Sequence, residues 1–263
     1  MVAIPTQNVD PTLQAMRKAM EERAMLEPHR TYLGASSIGE SCSRRLWYGF
    51  NGYERKPIES TGLMAIEDGH KTEDIIAERL RLVPGVKLYT QDENGKQFGF
   101  CEQVPLLVTR DIIDPRTGQV TGKQTHGDFK GHYDGVIKGL LQAPKKFHIW
   151  ENKAVNQKKF DLFRKTKNEI GEKQTLKKWD YTYWAQGQIY MHYEKIDRHY
   201  LTVATPGGRD VESCRTEYDK DAALALIEKA KRIIRAIEPP ARIGPPTWFE
   251  CKFCPFYDVC HGT

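Results

Sequence analysis

The cysteine spacing limits most sharply how this chain can fold. Cys251, Cys254 and Cys260 form a C-x2-C-x5-C run in the tail CKFCPFYDVCHGT, while Cys42 lies more than two hundred residues upstream in SSIGESCSRRLWY. A tail this short cannot bury a core alone, so it must return onto the body of the protein. If the four thiolates meet at one metal centre, that centre joins the two ends of the chain. Zinc sites more often present two close pairs. Iron–sulfur clusters tolerate one pair, a third cysteine and a distant partner. Spacing alone leaves zinc and iron–sulfur open. Disulfides are not expected. No apolar run approaches the ~18–20 residues of a membrane helix, and MVAIPTQNVDP lacks the pattern of a secretory signal. The expected compartment is therefore the cytoplasm, with no membrane partner, where thiols stay reduced. Cys101 and Cys214 fall in strand-like segments and read as buried small hydrophobes.

Between the cysteines the hydrophobic period changes twice. Residues 11–27 read as a polar amphipathic helix, and 42–50 as a short helix with Ser36, Ser37 and Ser41 as cap supply. Leu63, Ile66, Ile76, Ala77 and Leu80 predict a helix over 61–82, ended by Pro84 and Gly85. Four strands are expected at 86–91, 100–108, 129–137 and 147–155. Turns are expected at Asn94-Gly95, Asp114-Pro115, Thr117-Gly118 and Ala143-Pro144. Helices follow at 157–171 and 179–193, strands at 199–205 and 211–216, and a helix at 218–237, stopped by Pro239-Pro240. The tail reads as loop. The expected fold class is α/β (mixed α+β), a central mixed β-sheet flanked by helices. One domain is expected over 1–263: a helical part at 1–60 holding Cys42, a core at 61–216, and a helix with the cysteine-rich tail at 217–263.

Two strands end in acidic residues. Asp134 closes GHYD, and Glu151 and Lys153 lie two apart in IWENKAV, so they project from one strand face. Two carboxylates and an ammonium among Ile149, Trp150, Ala154 and Val155 are costly to desolvate unless paired or bound to metal. A surface salt bridge is the plainer reading of a lone E-x-K. His70 lies on the helix before the sheet, with Glu73 one turn on. It reads as an ordinary helical histidine or as a nitrogen ligand for a divalent metal. Gln186 and Tyr190 share a helix face, with Tyr183 a turn earlier, which by itself describes a packed aromatic helix.

The whole chain carries only +5, but nine Lys or Arg stand against three acidic residues between Lys153 and Lys178. Trp179, Tyr181, Tyr183 and Trp184 follow. Cations for phosphates beside aromatics for bases suit single-stranded nucleic acid. Lys158, Lys159, Arg164, Lys165, Lys167, Trp179 and Tyr183 are the expected contacts, with Arg44 and Arg45 as further phosphate candidates. A solvated helix face beside an aromatic core helix is the competing reading.

In order along the chain, His70, GHYD ending at Asp134, Glu151-Asn152-Lys153 and the run Gln186 to Tyr190 resemble the PD-(D/E)XK nuclease superfamily. The resemblance is closer to its RecB-like branch, including CRISPR-associated exonucleases. Cys42 with the tail cysteines is similar to the iron–sulfur staple of those nucleases, and the likeness runs from Ser36 to Cys260. It implies a restriction-endonuclease-like core. His70, Asp134, Glu151 and the Asn152 carbonyl would bind Mg²⁺ or Mn²⁺. Lys153 would orient or deprotonate the attacking water, and Gln186 and Tyr190 would position DNA or support the site. Cys42, Cys251, Cys254 and Cys260 would hold a [4Fe–4S] cluster, with zinc as alternative. The implied activity is DNA exonucleolysis on single strands or end-containing duplex, in recombination, repair, phage DNA metabolism or CRISPR adaptation, with partner proteins from those processes. A structure-specific endonuclease and a non-catalytic iron–sulfur DNA-binding module are the alternatives. The thirty-two residues between Lys153 and Gln186 exceed the interval the resemblance leads one to expect.

Overall fold

A computed structural model describes residues 10–28, 30–113 and 119–262. Two sheets form the frame. The larger, in order β2-β5-β6-β7-β8, comprises Lys87–Tyr89, Gly135–Leu140, Ala143–Ala154, Arg198–Ala204 and Val211–Glu217. It is mixed: β6 and β7 run parallel and the other neighbours antiparallel. The smaller, in order β1-β4-β3, comprises Leu33–Gly34, Val120–His132 and Gly99–Ile113.

Helices cover both faces of the larger sheet, because its strands carry apolar residues on both sides. On one face Ile149, Leu201 and Val203 pack with Ile189 and Met191 of α6 (Tyr181–Glu194) and with α7 (Lys220–Arg235). On the other, Trp150 and Tyr200 pack with Ile76 and Ala77 of α3 (Ser60–Arg81). α1 (Pro11–Met25) buries no residue; it is held where the Ser60 amide donates to Glu21 (2.7 Å) and Arg23 pairs with Glu67 (3.2 Å).

Several elements differ from the sequence reading. The segment 129–137 is not one strand. It bends at Tyr133-Asp134, so its first half pairs with β3 and its second half with β6. A Cβ at Gly131 would stand 2.8 Å from both Ala35 Cβ and Tyr190 Cε1, so glycine is what lets β4 pass this close to α6. β3 runs to Ile113 rather than Val108, because its antiparallel ribbon with β4 continues outward. The turns expected at Asp114-Pro115 and Thr117-Gly118 lie outside the described residues. Ala143 and Pro144 belong to β6, not to a turn.

The expected helix at 179–193 is interrupted at Asp180, whose carboxylate caps α6 by accepting from the Tyr183 amide (3.1 Å). The long interval after Lys153 therefore holds α4 (Gln157–Ile170) and α5 (Glu172–Trp179). The tail forms two short helices, α8 (Phe249–Lys252) and α9 (Tyr257–His261). Cys101 is exposed rather than buried: Phe100 faces the core, so the alternation of β3 turns Cys101 outward. Cys214 is buried, as expected.

Candidate functional site

The acidic group forms where the two sheets part. Asp134 occupies the bend just ahead of β5, opposite Glu151 in the β5–β6 ladder, where Gly135 pairs with Trp150. Its Oδ2 accepts the Asn152 amide at 2.7 Å. The period of β6 puts Glu151 and Lys153 on one face, with Lys153 Nζ 2.8 Å from Glu151 Oε1. That oxygen also accepts from Gln186 Nε2 at 3.2 Å. Gln186 Nε2 lies 2.9 Å from the Tyr190 hydroxyl, which donates to the His132 carbonyl at 2.6 Å. Two turns of α6 thus hold Glu151 from above and anchor to β4 beyond it.

Glu151 is 3% exposed and its Oε2 is buried without a hydrogen-bond partner. A buried carboxylate oxygen left unpaired is costly. Burial, followed by the Asp134 charge, pushes its carboxyl up to about 8. Asp134 is also raised, by burial first, against the pull of Lys153, the Asn152 amide and His70. Burial pulls the Lys153 ammonium down, but Glu151 and Asp134 outweigh it and hold Lys153 protonated.

Glu73 of α3 joins them. Burial and then the Asp134 charge push it up to about 7. Spacing puts it on the His70 face, and nothing in its local sequence marks it as a site residue. His70 itself is exposed and reaches the group through its effect on Asp134. Asp134, Glu151 and Glu73 are oxygen donors of the kind a hard divalent cation takes, and one Glu151 oxygen among them has no partner. Among the described residues no three His, Cys, Asp or Glu side chains are drawn together closely enough to hold a metal ion.

On the reverse face of the sheet, Thr202 of β7 ties the same strand. It accepts from Trp150 Nε1 (3.1 Å) and donates to Asn152 Oδ1 (2.9 Å). The peptide that binds Asp134 is therefore fixed from below.

The four cysteines line one cavity of about 290 Å³, together with Arg45, Glu250 and His261. Cys42 caps α2 (Ser43–Phe50): its sulfur accepts the Arg45 amide at 3.4 Å, in place of the serines expected to cap. Burial, then the neighbouring thiols, raises Cys251. Burial also raises Cys254, with Cys42 and Cys260 adding to it. Four sulfurs lining one cavity are the donor type a thiolate-bound metal or cluster takes, and among the described residues no three of them are drawn together closely enough to hold one. Lys56, whose amide donates to Pro255 O (2.8 Å), fastens the tail near this cavity.

The basic stretch is largely paired. Lys159 meets Asp180 (2.7 Å), and Arg164 meets Asp210 (2.7 Å) and Glu212 (3.2 Å). Lys167 meets Glu212 (2.8 Å), Lys173 meets Glu217 (2.6 Å) and Lys165 meets Glu169 (3.8 Å). Trp179 is buried edge-on to Phe163 and donates to the Lys159 carbonyl. Tyr183 is half-buried, with Lys153 and Lys159 at 5.2 and 4.7 Å from its ring. Lys158 is exposed. Arg44 donates to the Pro239 and Pro240 carbonyls and Arg45 pairs with Glu40.

No protein-family model matches the chain, and no curated protein matches it. Among solved structures, the crystal structure of SSO0001 is similar at 14% identity, with a TM-score of 0.47 over 97% of this chain and 98% of that one. An alkaline exonuclease from Laribacter hongkongensis is similar at 11% identity, with a TM-score of 0.44 over 82% of this chain and 90% of that one. The same exonuclease in complex with dAMP gives 11% identity and 0.44 over 84% and 90%.

Proposed function

We propose that this chain is a metal-dependent deoxyribonuclease that hydrolyses phosphodiester bonds from DNA ends. The carrying observation is the buried Glu151–Lys153 pair beside Asp134 and Glu73, with one Glu151 oxygen unpartnered. Asp134 and Glu151 would hold Mg²⁺ or Mn²⁺, with Glu73 as a third carboxylate, His70 at the rim and the Asn152 carbonyl alongside. When bound, the ion neutralises charge on the scissile phosphate and lowers the pKa of a water.

The chain's own groups do the rest. Lys153 keeps its proton on Nζ between two carboxylates, so it acts as a point charge that orients the phosphate and the water rather than as the base. Gln186 and Tyr190 hold the Glu151 carboxylate in one orientation. Thr202 and Trp150 hold the strand beneath it.

We read the four cysteines as ligands of a [4Fe–4S] cluster with a structural task, fastening the tail to α2. The chain then works as one nuclease unit from the α2 region to the tail. The test of the activity is incubation with Mn²⁺ and either linear or covalently closed circular DNA. Degradation of the linear form alone is expected. Cutting of the closed circle would replace the exonuclease by an endonuclease, and no cutting of either would overturn the enzyme.

A further inference from the structure

A second cavity, of about 340 Å³, is lined from the α2 region, β3 and the end of α7, with the buried Trp47 among its lining residues. Its most exposed wall is aliphatic, with Leu107 70%, Val108 56% and Ile237 60% exposed, and Trp47, Asn51 and Tyr53 also line it. Among the described residues its charged lining is Arg110 and Arg235. The arginines of the α4–β8 region are paired with carboxylates. Among the described residues neither Arg110 nor Arg235 has a carboxylate partner. Arg110 donates to Asn51 and lies over the Phe50 ring.

The backbone at the groove is irregular as well. In the β3–β4 register Pro105 pairs with His126 and Arg110 with Gln124, so Leu106–Thr109 oppose a single residue. β3 is also the outer strand of its sheet. Pro105 and the bulge after it blunt this edge against a continuous pairing strand, yet Leu107 and Val108 stand exposed within the bulge. Exposed aliphatics at an edge mark a surface that something covers.

We propose that this groove docks a short extended peptide segment of a partner protein in which a carboxylate stands beside apolar side chains. The aliphatic walls take the apolar side chains, and Arg110 and Arg235 take the carboxylate. Nucleic acid fits less well: of the two aromatic lining residues Trp47 is buried and Tyr53 packs against Trp47 and Tyr48, so the most exposed wall is the aliphatic Leu107, Val108 and Ile237. The site is independent of the proposed catalytic group.

The test is panning of a random short-peptide display library on the full chain, followed by anisotropy with a labelled copy of the peptide most enriched. Enrichment of Asp or Glu next to Leu, Ile or Phe is expected. Arg235→Glu and Leu107→Asp, each with an unchanged melting point, should each weaken that peptide by about tenfold or more. No enrichment, or enriched peptides indifferent to both variants, would overturn the proposal. So would two other results: an oligothymidylate losing affinity in Arg235→Glu while no peptide is selected, or a dimer in light scattering that Leu107→Asp dissolves, which would make the occupant a second copy.

Discussion

Glu151 and Glu73 make the metal-free protein sensitive to pH in a defined direction. Their carboxyls are pushed up to about 8 and about 7 from an ordinary 4.5, so the folded chain holds protons that the unfolded chain has lost. Stability therefore falls as pH rises through that range. Two buried histidines act in the opposite sense: burial holds His148 down to about 4 and His199 to about 3, against 6.5. Their contribution is present at neutral pH and is lost on acidification below 6.5. The two effects oppose each other from 4.5 to 6.5, and only the carboxylates act from 6.5 to about 8. In EDTA the melting temperature should fall across that upper window, and Glu151→Gln should flatten the fall. A melting temperature that rises from pH 6.5 to 8 would contradict the assigned environments.

Among the elements, β6 was the most legible in the sequence, because period-2 geometry alone puts Glu151 and Lys153 on one face. The role of Glu73 was not legible: it depends on how α3 docks against the sheet, through Ile76 and Ala77 against Trp150, which no local spacing encodes. The bend at Asp134 was hidden for a similar reason. An unbroken β-like run carries no mark of which sheet each half will join. The pairing of the basic stretch was not legible in its composition, since the partners of Arg164, Lys167 and Lys173 lie more than forty residues on, at Asp210, Glu212 and Glu217. The α4–β8 ion pairs consequently make different variants do different things. Lys158→Ala should weaken DNA binding and lower its salt dependence. Arg164→Ala should leave affinity near wild type; a larger loss of affinity from Arg164→Ala than from Lys158→Ala would contradict this. Thr202→Val should cost about 1–3 kcal/mol in denaturant melts, because Trp150 Nε1 and Asn152 lose a buried partner.

At the scale of the whole molecule, two features tie distant parts of the chain together. The cysteine cavity joins α2 to the tail, and the acidic group joins α3, the bend before β5, and β6. The first predicts a brown protein absorbing near ~400 nm that loses the colour in Cys254→Ala. It also predicts a melting point lower by several degrees in that variant, at about 2–4 °C per kcal/mol for a chain of this size. A colourless zinc protein would refute the iron–sulfur assignment, and an unchanged melting point the staple. The second carries the central claim, that the Glu151–Lys153 pair is where phosphodiester hydrolysis takes place. The most direct measurement compares wild type, Glu151→Ala and Lys153→Ala on end-labelled linear DNA with Mn²⁺, with DNA affinity measured alongside in EDTA. Cleavage should be abolished in both variants while affinity stays near wild type. Cleavage retained by either variant would contradict the account.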